Sequence, residues 1–225
     1  MKNAKWIAGS VAGLLLTSLP LLAADSTTRF YARSGSKMRM EGTSNIHDWQ
    51  VESPLIGGWM EVGPGFPTEP GQAATPGKME VRAEPFVMVR SLKSLEKDGK
   101  PYSDKMDEVM YEHLKAADDP HARIIYRLTE MVLKEAAKGK DDPYAFDTKG
   151  DLVVAGVTNQ ISMPVNVLPM GDKKLKITGT VTVKMTDFKV EPPAPAIAMG
   201  MIKTGDAVKL IFEWIVAPRT PAATK

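Results

Sequence analysis

The sequence predicts an all-β protein, an antiparallel barrel of about eight strands with one amphipathic helix, and three observations carry that expectation. The first is residues 150–167. Leu152 and Val154 alternate with other residues, a turn follows at Gly156-Val157-Thr158-Asn159, and Ile161, Met163, Val165 and Val167 resume the alternation. That is a β-hairpin with one apolar face. The second is the same two-residue period in Leu175, Ile177, Val181, Val183 and Met185, and again in Val208, Leu210, Phe212, Trp214 and Val216. The third is that one stretch, residues 104–115, follows the helical period through Met106, Val109, Met110, His113 and Leu114. A run of consecutive antiparallel strands covers its apolar face by curling into a sandwich or barrel.

In chain order, Lys2 and Lys5 precede an uncharged run over residues 6–22, and Ala23-Ala24 precede the first acid, Asp25. A charged start, an apolar middle and small closing residues are the parts of a secretory signal peptide, here residues 1–24 with cleavage after Ala24. An uncleaved membrane anchor competes with that reading, but Gly9, Ser10, Gly13, Thr17, Ser18 and Pro20 dilute the run. Export in a bacterium places the protein in the periplasm. The remainder reads as one domain over residues 25–217, of ordinary size at about 200 residues, followed by a disordered tail at 218–225. The whole chain has 29 basic and 27 acidic residues, so loss of Lys2 and Lys5 leaves the mature chain formally neutral. No basic run with interleaved aromatics points to nucleic acid. With no Cys, disulfides, thiol chemistry and a lipid-modified N-terminal Cys are excluded.

Residues 29–33 and 37–41 are short strands around Ser34-Gly35-Ser36. Residues 42–53, GTSNIHDWQVES, combine a polar bend with a strand bearing Trp49 and Val51. Gly57-Gly58 lead into Trp59, Met60 and Val62. Residues 63–77 hold four Pro and four Gly and read as a loop, either mobile or packed over one end of the structure. Strand character returns over 78–92, with Val81, Ala83, Val87 and Val89 on one parity and Pro85 marking a bulge or edge. Residues 91–102 read as polar and flexible. Ser103 or Asp104 caps the helix, and Asp118-Asp119-Pro120 stops it. Residues 123–131 form a strand with Ile124, Tyr126 and Leu128 on one side, and 134–143 a charged connection. Residues 191–200, EPPAPAIAMG, are irregular because Pro cannot donate to a ladder.

Catalytic and metal readings find little support. Neighbouring residues on a strand point to opposite faces, so His47 and Asp48 form no simple relay beside Ser44, and no G-x-S-x-G elbow exists. These residues read better as fixing a bend, with the Trp49 indole packed and His or Asp bonding local backbone. The histidines, His47, His113 and His121, have no metal-ligand spacing, and the scattered Met lacks the clustering that selects copper. A hydrolase using Ser44 or His47 is the disfavoured alternative.

Five segments, GTSNIHDW, SLKSLEKDGKPYSDKMDEVMYEHLKAADDPHARIIYRL, GDLVVAGVTNQISMPVNV, ITGTVTVKMTDFKVEPP and GDAVKLIFEWIV, resemble in order and spacing the YceI-like, polyisoprenoid-binding family. AGVT and MTDF are the sharpest parts. The resemblance implies a lipocalin-like barrel whose apolar cavity takes a long isoprenoid chain. The long loop after Val62 and the acidic, Met-rich helix depart from many relatives. An eight-stranded barrel is just wide enough to be filled by its own side chains or to hold one small ligand. On the residues alone, the apolar faces read as core. The resemblance turns them toward a lining of Ile124, Tyr126, Leu128, Leu152, Val154, Ile161, Met163, Val165, Ile177, Val181, Phe212 and Trp214, with Met106, Met110 and Leu114 as a wall or lid, or as a helix that simply plugs one end. The implied function is that of an exported carrier or reservoir for a polyisoprenoid or isoprenoid quinone, not an enzyme, with no cofactor beyond that lipid. Its implied partners are the apolar ligand and, transiently, a membrane or membrane redox proteins. A homodimer stays open. The alternative is a periplasmic stress-response or interaction module with a side-chain-filled barrel.

Overall fold

A computed structural model describes residues 27–194 and 202–219; the expected signal peptide, residues 195–200 of the Pro-rich stretch and residues 220–225 of the expected tail lie outside them. The described chain is almost entirely strand, and its strands join one antiparallel sheet. In order they are β1 (Thr28–Ala32), β2 (Lys37–Ser44), β3 (Trp49–Ser53), β4 (Gly57–Val62), β5 (Gly77–Lys78), β6 (Val81–Met88), β7 (Lys93–Leu95), then helix α1 (Asp104–His113), then β8 (Arg123–Glu135), β9 (Tyr144–Val154), β10 (Val157–Pro169), β11 (Leu175–Lys184) and β12 (Thr204–Pro218). Eight of them close a barrel in the order β1-β4-β6-β8-β9-β10-β11-β12, with β12 returning to β1 through Ala32 opposite Val216.

β12 is where the wall forks. One edge pairs along its length with β11, while the other is shared, Val208 to Glu213 pairing with β2 and Val216 to Pro218 with β1. Ser36 sits at the fork, 2% exposed. Its hydroxyl accepts the Ile215 N–H at 3.0 Å and donates to the Arg33 carbonyl at 2.8 Å, satisfying backbone that neither branch reaches. From β2 the sheet continues through β3 to β7 as a flap beside the barrel.

The registers put the alternating apolar residues on a common inner face, because directly opposed residues share a face. Trp214 stands opposite Ile177, Leu210 opposite Val181, and Val165 opposite Phe146. The hairpin turn is Ala155-Gly156, φ +49° and +82°, a tight two-residue turn one step earlier than the sequence predicts. Thr129 is an extra residue in β8, since Leu128 faces Gly150 and Glu130 faces Lys149. This bulge moves the inner face from Ile124, Tyr126 and Leu128 to Met131 and Leu133, which simple alternation does not anticipate.

Four further expectations need correction. Val89 leaves the strand for a short 3-10 turn over Val89–Ser91. Residues 91–102 contain β7, which is held by β3 despite its polar sequence. The helix ends at His113, five residues before Asp118, and just beyond it Lys115 turns left-handed at φ +55° while its N–H and that of Ala116 bond back to Glu112 and Tyr111. β12 extends through Pro218, into the expected tail. Pro85 stands inside β6, next to Phe86 where the pairing with β8 begins, so its missing N–H interrupts no β6–β8 ladder.

One end of the barrel is solid. Phe30, Met60, Val62, Phe66, Met131, Leu133, Tyr144, Phe146, Val167, Leu175 and Val216 are at most 3% exposed there. The Gly/Pro loop covers this end: Phe66 stacks on Phe146 with ring centroids 5.6 Å apart, and the Tyr144 hydroxyl donates to the Gln72 carbonyl. The loop is therefore packed structure, the second of its two predicted forms.

Candidate functional site

At the other end the same inner face borders a cavity of about 760 Å³. Its barrel wall comes from the opposite ends of the same strands, with Ile124, Val154, Val183, Val208 and Leu210, and from the flap, with Met40 and Val51. Smaller, mostly β-branched side chains replace the rings of the solid end. Met185, Phe188 and Val190, in the turn after β11, complete the strand side.

Helix α1 forms the remaining wall, and its register decides what it offers. Met106, Val109, Met110, His113 and Leu114 recur at three- and four-residue spacing and line the cavity, as the sequence predicts for one face of a helix. Asp107 and Tyr111 lie on the other face and fasten the helix. Buried Asp107 accepts the Ser94 N–H at 2.7 Å and pairs with Lys93 at 2.9 Å, and the Tyr111 hydroxyl donates to the Leu92 carbonyl at 2.7 Å. The Asp107 hydrogen bond is also the main reason the Lys93 ammonium titrates above its ordinary value. The Ser103 hydroxyl caps the helix by accepting the Met106 N–H.

Of the residues predicted from the sequence, Met106, Met110, Leu114, Ile124 and Val154 line the cavity. The others stand on the inner face outside its lining. Tyr126 and Phe212 are the next inward residues below Ile124 and Leu210, and each covers a glycine: a methyl on Gly150 would lie 2.5 Å from Tyr126 Cζ, and one on Gly179 would lie 2.5 Å from Phe212 Cζ. Burial raises the Tyr126 phenol above its usual 10.0. Leu152, Met163, Val165, Ile177 and Trp214 are buried, while Leu128, Ile161 and Val181 are partly buried. Trp214 Nε1 is enclosed without a hydrogen-bond partner among the described residues.

Sequence reasoning missed Met40, Val51, Trp49 and Tyr102, all contributed through the flap or its connections. Val183 and Met185 carried a readable signal, since they continue the alternation of β11. His47 and Trp49 hold the bend as predicted. His47 bonds the Asp48 carbonyl, and Trp49 covers Gly42 while its Nε1–H donates to the Thr43 carbonyl. No group of side chains among the described residues could hold a metal ion.

Comparison with solved structures places this architecture among known barrels. A polyisoprenoid binding domain from Saccharophagus degradans, implicated in plant cell wall breakdown, is similar over 84% of this chain and 98% of its own, with 13% identity and a TM-score of 0.56. BcnA of Burkholderia cenocepacia is similar over 80% and 95%, with 15% identity and a TM-score of 0.55. At such identity both likenesses speak for the fold alone. No curated protein sequence matches. The YceI-like domain, however, matches residues 65–215, from the loop over the solid end to the closing strand, and by that match the chain belongs to the YceI-like family.

Proposed function

We propose that the protein is an exported carrier or reservoir for a linear isoprenoid, either a polyisoprenoid or an isoprenoid quinone, held in the cavity beside α1. The observation that carries this reading is the apolar space of about 760 Å³ in a barrel whose other end is fully packed. Such a volume falls within the range of about 300–1,000 Å³ usual for small-molecule sites. Each buried CH₂ contributes about 0.8 kcal/mol, so a partly enclosed prenyl chain offsets the cost of immobilising it. Met106, Met110, Leu114, Ile124 and Val154 contact the chain in this proposal, and the next inward residues, Tyr126 and Phe212, form its floor, with Val165 and Trp214 behind them. Adaptable thioether side chains suit a helix that must fit a flexible ligand. The polyisoprenoid-binding description of the Saccharophagus relative supports the ligand class. The apolar, small-residue start of the chain supports export to the periplasm, and loading from a membrane follows from the insolubility of the cargo.

The test is mass spectrometry of an organic extract of protein purified from the periplasm of its native host. A stoichiometric isoprenoid is expected. An empty extract, together with failure to take up added isoprenoids, would turn the reading into an interaction module.

A further inference from the structure

The mouth of the cavity carries a hydrogen-bonding preference that bears on the head of the ligand. It is framed by the bend between β2 and β3 and by the turn after β7. Ser44 locks the bend: its hydroxyl donates to the His47 carbonyl at 2.7 Å and accepts the His47 N–H at 3.1 Å. This fixes the imidazole, whose Nδ1 lies 2.9 Å from the Asp48 carbonyl. A carbonyl oxygen only accepts, so in the neutral imidazole the proton sits on Nδ1 and Nε2 presents a lone pair. The Tyr102 hydroxyl stands 3.5 Å from that Nε2, with the rings edge to face at 5.9 Å. That separation is long for an O–H donor, so a better-placed donor can compete for Nε2. His47 and Tyr102 both line the cavity and both are exposed at its mouth.

The charges around them favour the same head. Asp48, Glu96 and Asp98 line the mouth against Lys97 and Lys184, with Asp98 already paired to Lys100 at 2.7 Å, and no arginine among the described residues lines the cavity. A phosphate or diphosphate is recognised by forked guanidinium groups or clustered ammonium groups, and here Lys97 and Lys184 stand among three carboxylates.

Resting on the carrier reading above, we propose that the mouth selects isoprenoids whose head donates a hydrogen bond, a prenol or a hydroquinone, over diphosphates and over oxidised quinones. Nε2 of His47 accepts the hydroxyl, and Tyr102 turns its own hydroxyl to suit.

The full-length protein, stripped of lipid, is titrated with geranylgeraniol, its methyl ether and geranylgeranyl diphosphate, which share one chain, by intrinsic tryptophan fluorescence. The alcohol is expected to bind about fivefold more tightly than the ether, the value of one net hydrogen bond, with the diphosphate weakest. His47→Phe should erase the gap between alcohol and ether while the ether still binds, and Tyr102→Phe should leave the gap in place. A hydroquinone should likewise outbind its own quinone, and the tighter of hydroquinone and prenol identifies the source of the cargo. Equal binding of alcohol and ether, a gap that survives His47→Phe, a diphosphate that binds best, or parity of quinol and quinone would each overturn head selection while leaving the carrier reading intact. Failure of every chain to bind would overturn both.

Discussion

The two ends of this barrel are built from the same strands with the same alternation, yet one is solid and the other hollow. β9 shows the contrast along a single strand, from Tyr144 and Phe146, at most 1% exposed, to Val154 at the cavity wall. β12 repeats it, from Trp214 and Val216 to Leu210 and Val208. The covers differ as well. A Gly/Pro loop drives Phe66 into the solid end, whereas a helix spans the hollow one and is held at its outer face by Asp107 and Tyr111. Hydrophobicity thus makes the barrel, while side-chain size and the kind of cover decide which half holds space.

The sharpest way to break this contrast is truncation at each end. Phe146→Ala removes a ring from a close-packed stack and is expected to cost about 3–5 kcal/mol in urea unfolding. Leu210→Ala borders existing space and should cost about 2 kcal/mol or less; equal losses would mean that the hollow end is packed in solution. Next in size is a filling variant. A saturating isoprenoid at about 100 times its Kd should stabilise the wild type by about 2.7 kcal/mol, read as a rise in Tm, and Val208→Trp should lose that rise while keeping its ligand-free stability. Asp107→Ala then tests the fastening of the helix. It strands the buried Ser94 N–H and should cost about 1–3 kcal/mol, with weaker isoprenoid retention and an unchanged solid end, as hydrogen exchange of β9 would report.

The smallest effect lies in the turn that carries Met185 and Phe188 into the cavity wall. The Thr186 N–H and then its hydroxyl hydrogen-bond the Asp206 carboxylate, at 2.9 and 2.7 Å, and hold it below its ordinary value of 3.8. A carboxyl depressed in the folded state contributes stability above its unfolded value and loses it as pH falls through the folded one. The wild type should therefore exceed Asp206→Asn in stability above about pH 4, and the two should converge at lower pH. A constant difference across that range would remove the carboxylate from the account.

Period-two alternation made β9, β10, β11 and β12 legible, because each has one buried face and a one-residue slip would expose it. The helix was legible from its own period and from the Ser103 cap. What escaped were features set by distant partners. β7, Lys-Ser-Leu, has no pattern of its own and is a strand because β3 supplies its ladder. The Thr129 bulge reverses the inner face of β8 without a Gly or Pro to announce it. Within the site, Ile124 and Val154 could be named from their faces, but nothing in the period says how far along a strand the cavity extends. Depth depends on which rings project from the opposite wall, as with Tyr126 over Gly150 and Phe212 over Gly179.

The fork in β12 has a consequence in time as well as in space. The pairing that closes the barrel, Phe30 to Ala32 against Val216 to Pro218, joins the first described strand to the last, and the flap is attached to the same strand. Neither the solid half nor the hollow half can be completed before that strand has arrived, so the cavity takes shape only at the last pairing. Closure at such a sequence distance places folding in the slow, millisecond-to-second class of β proteins, and the cavity and the packed end are finished in the same step.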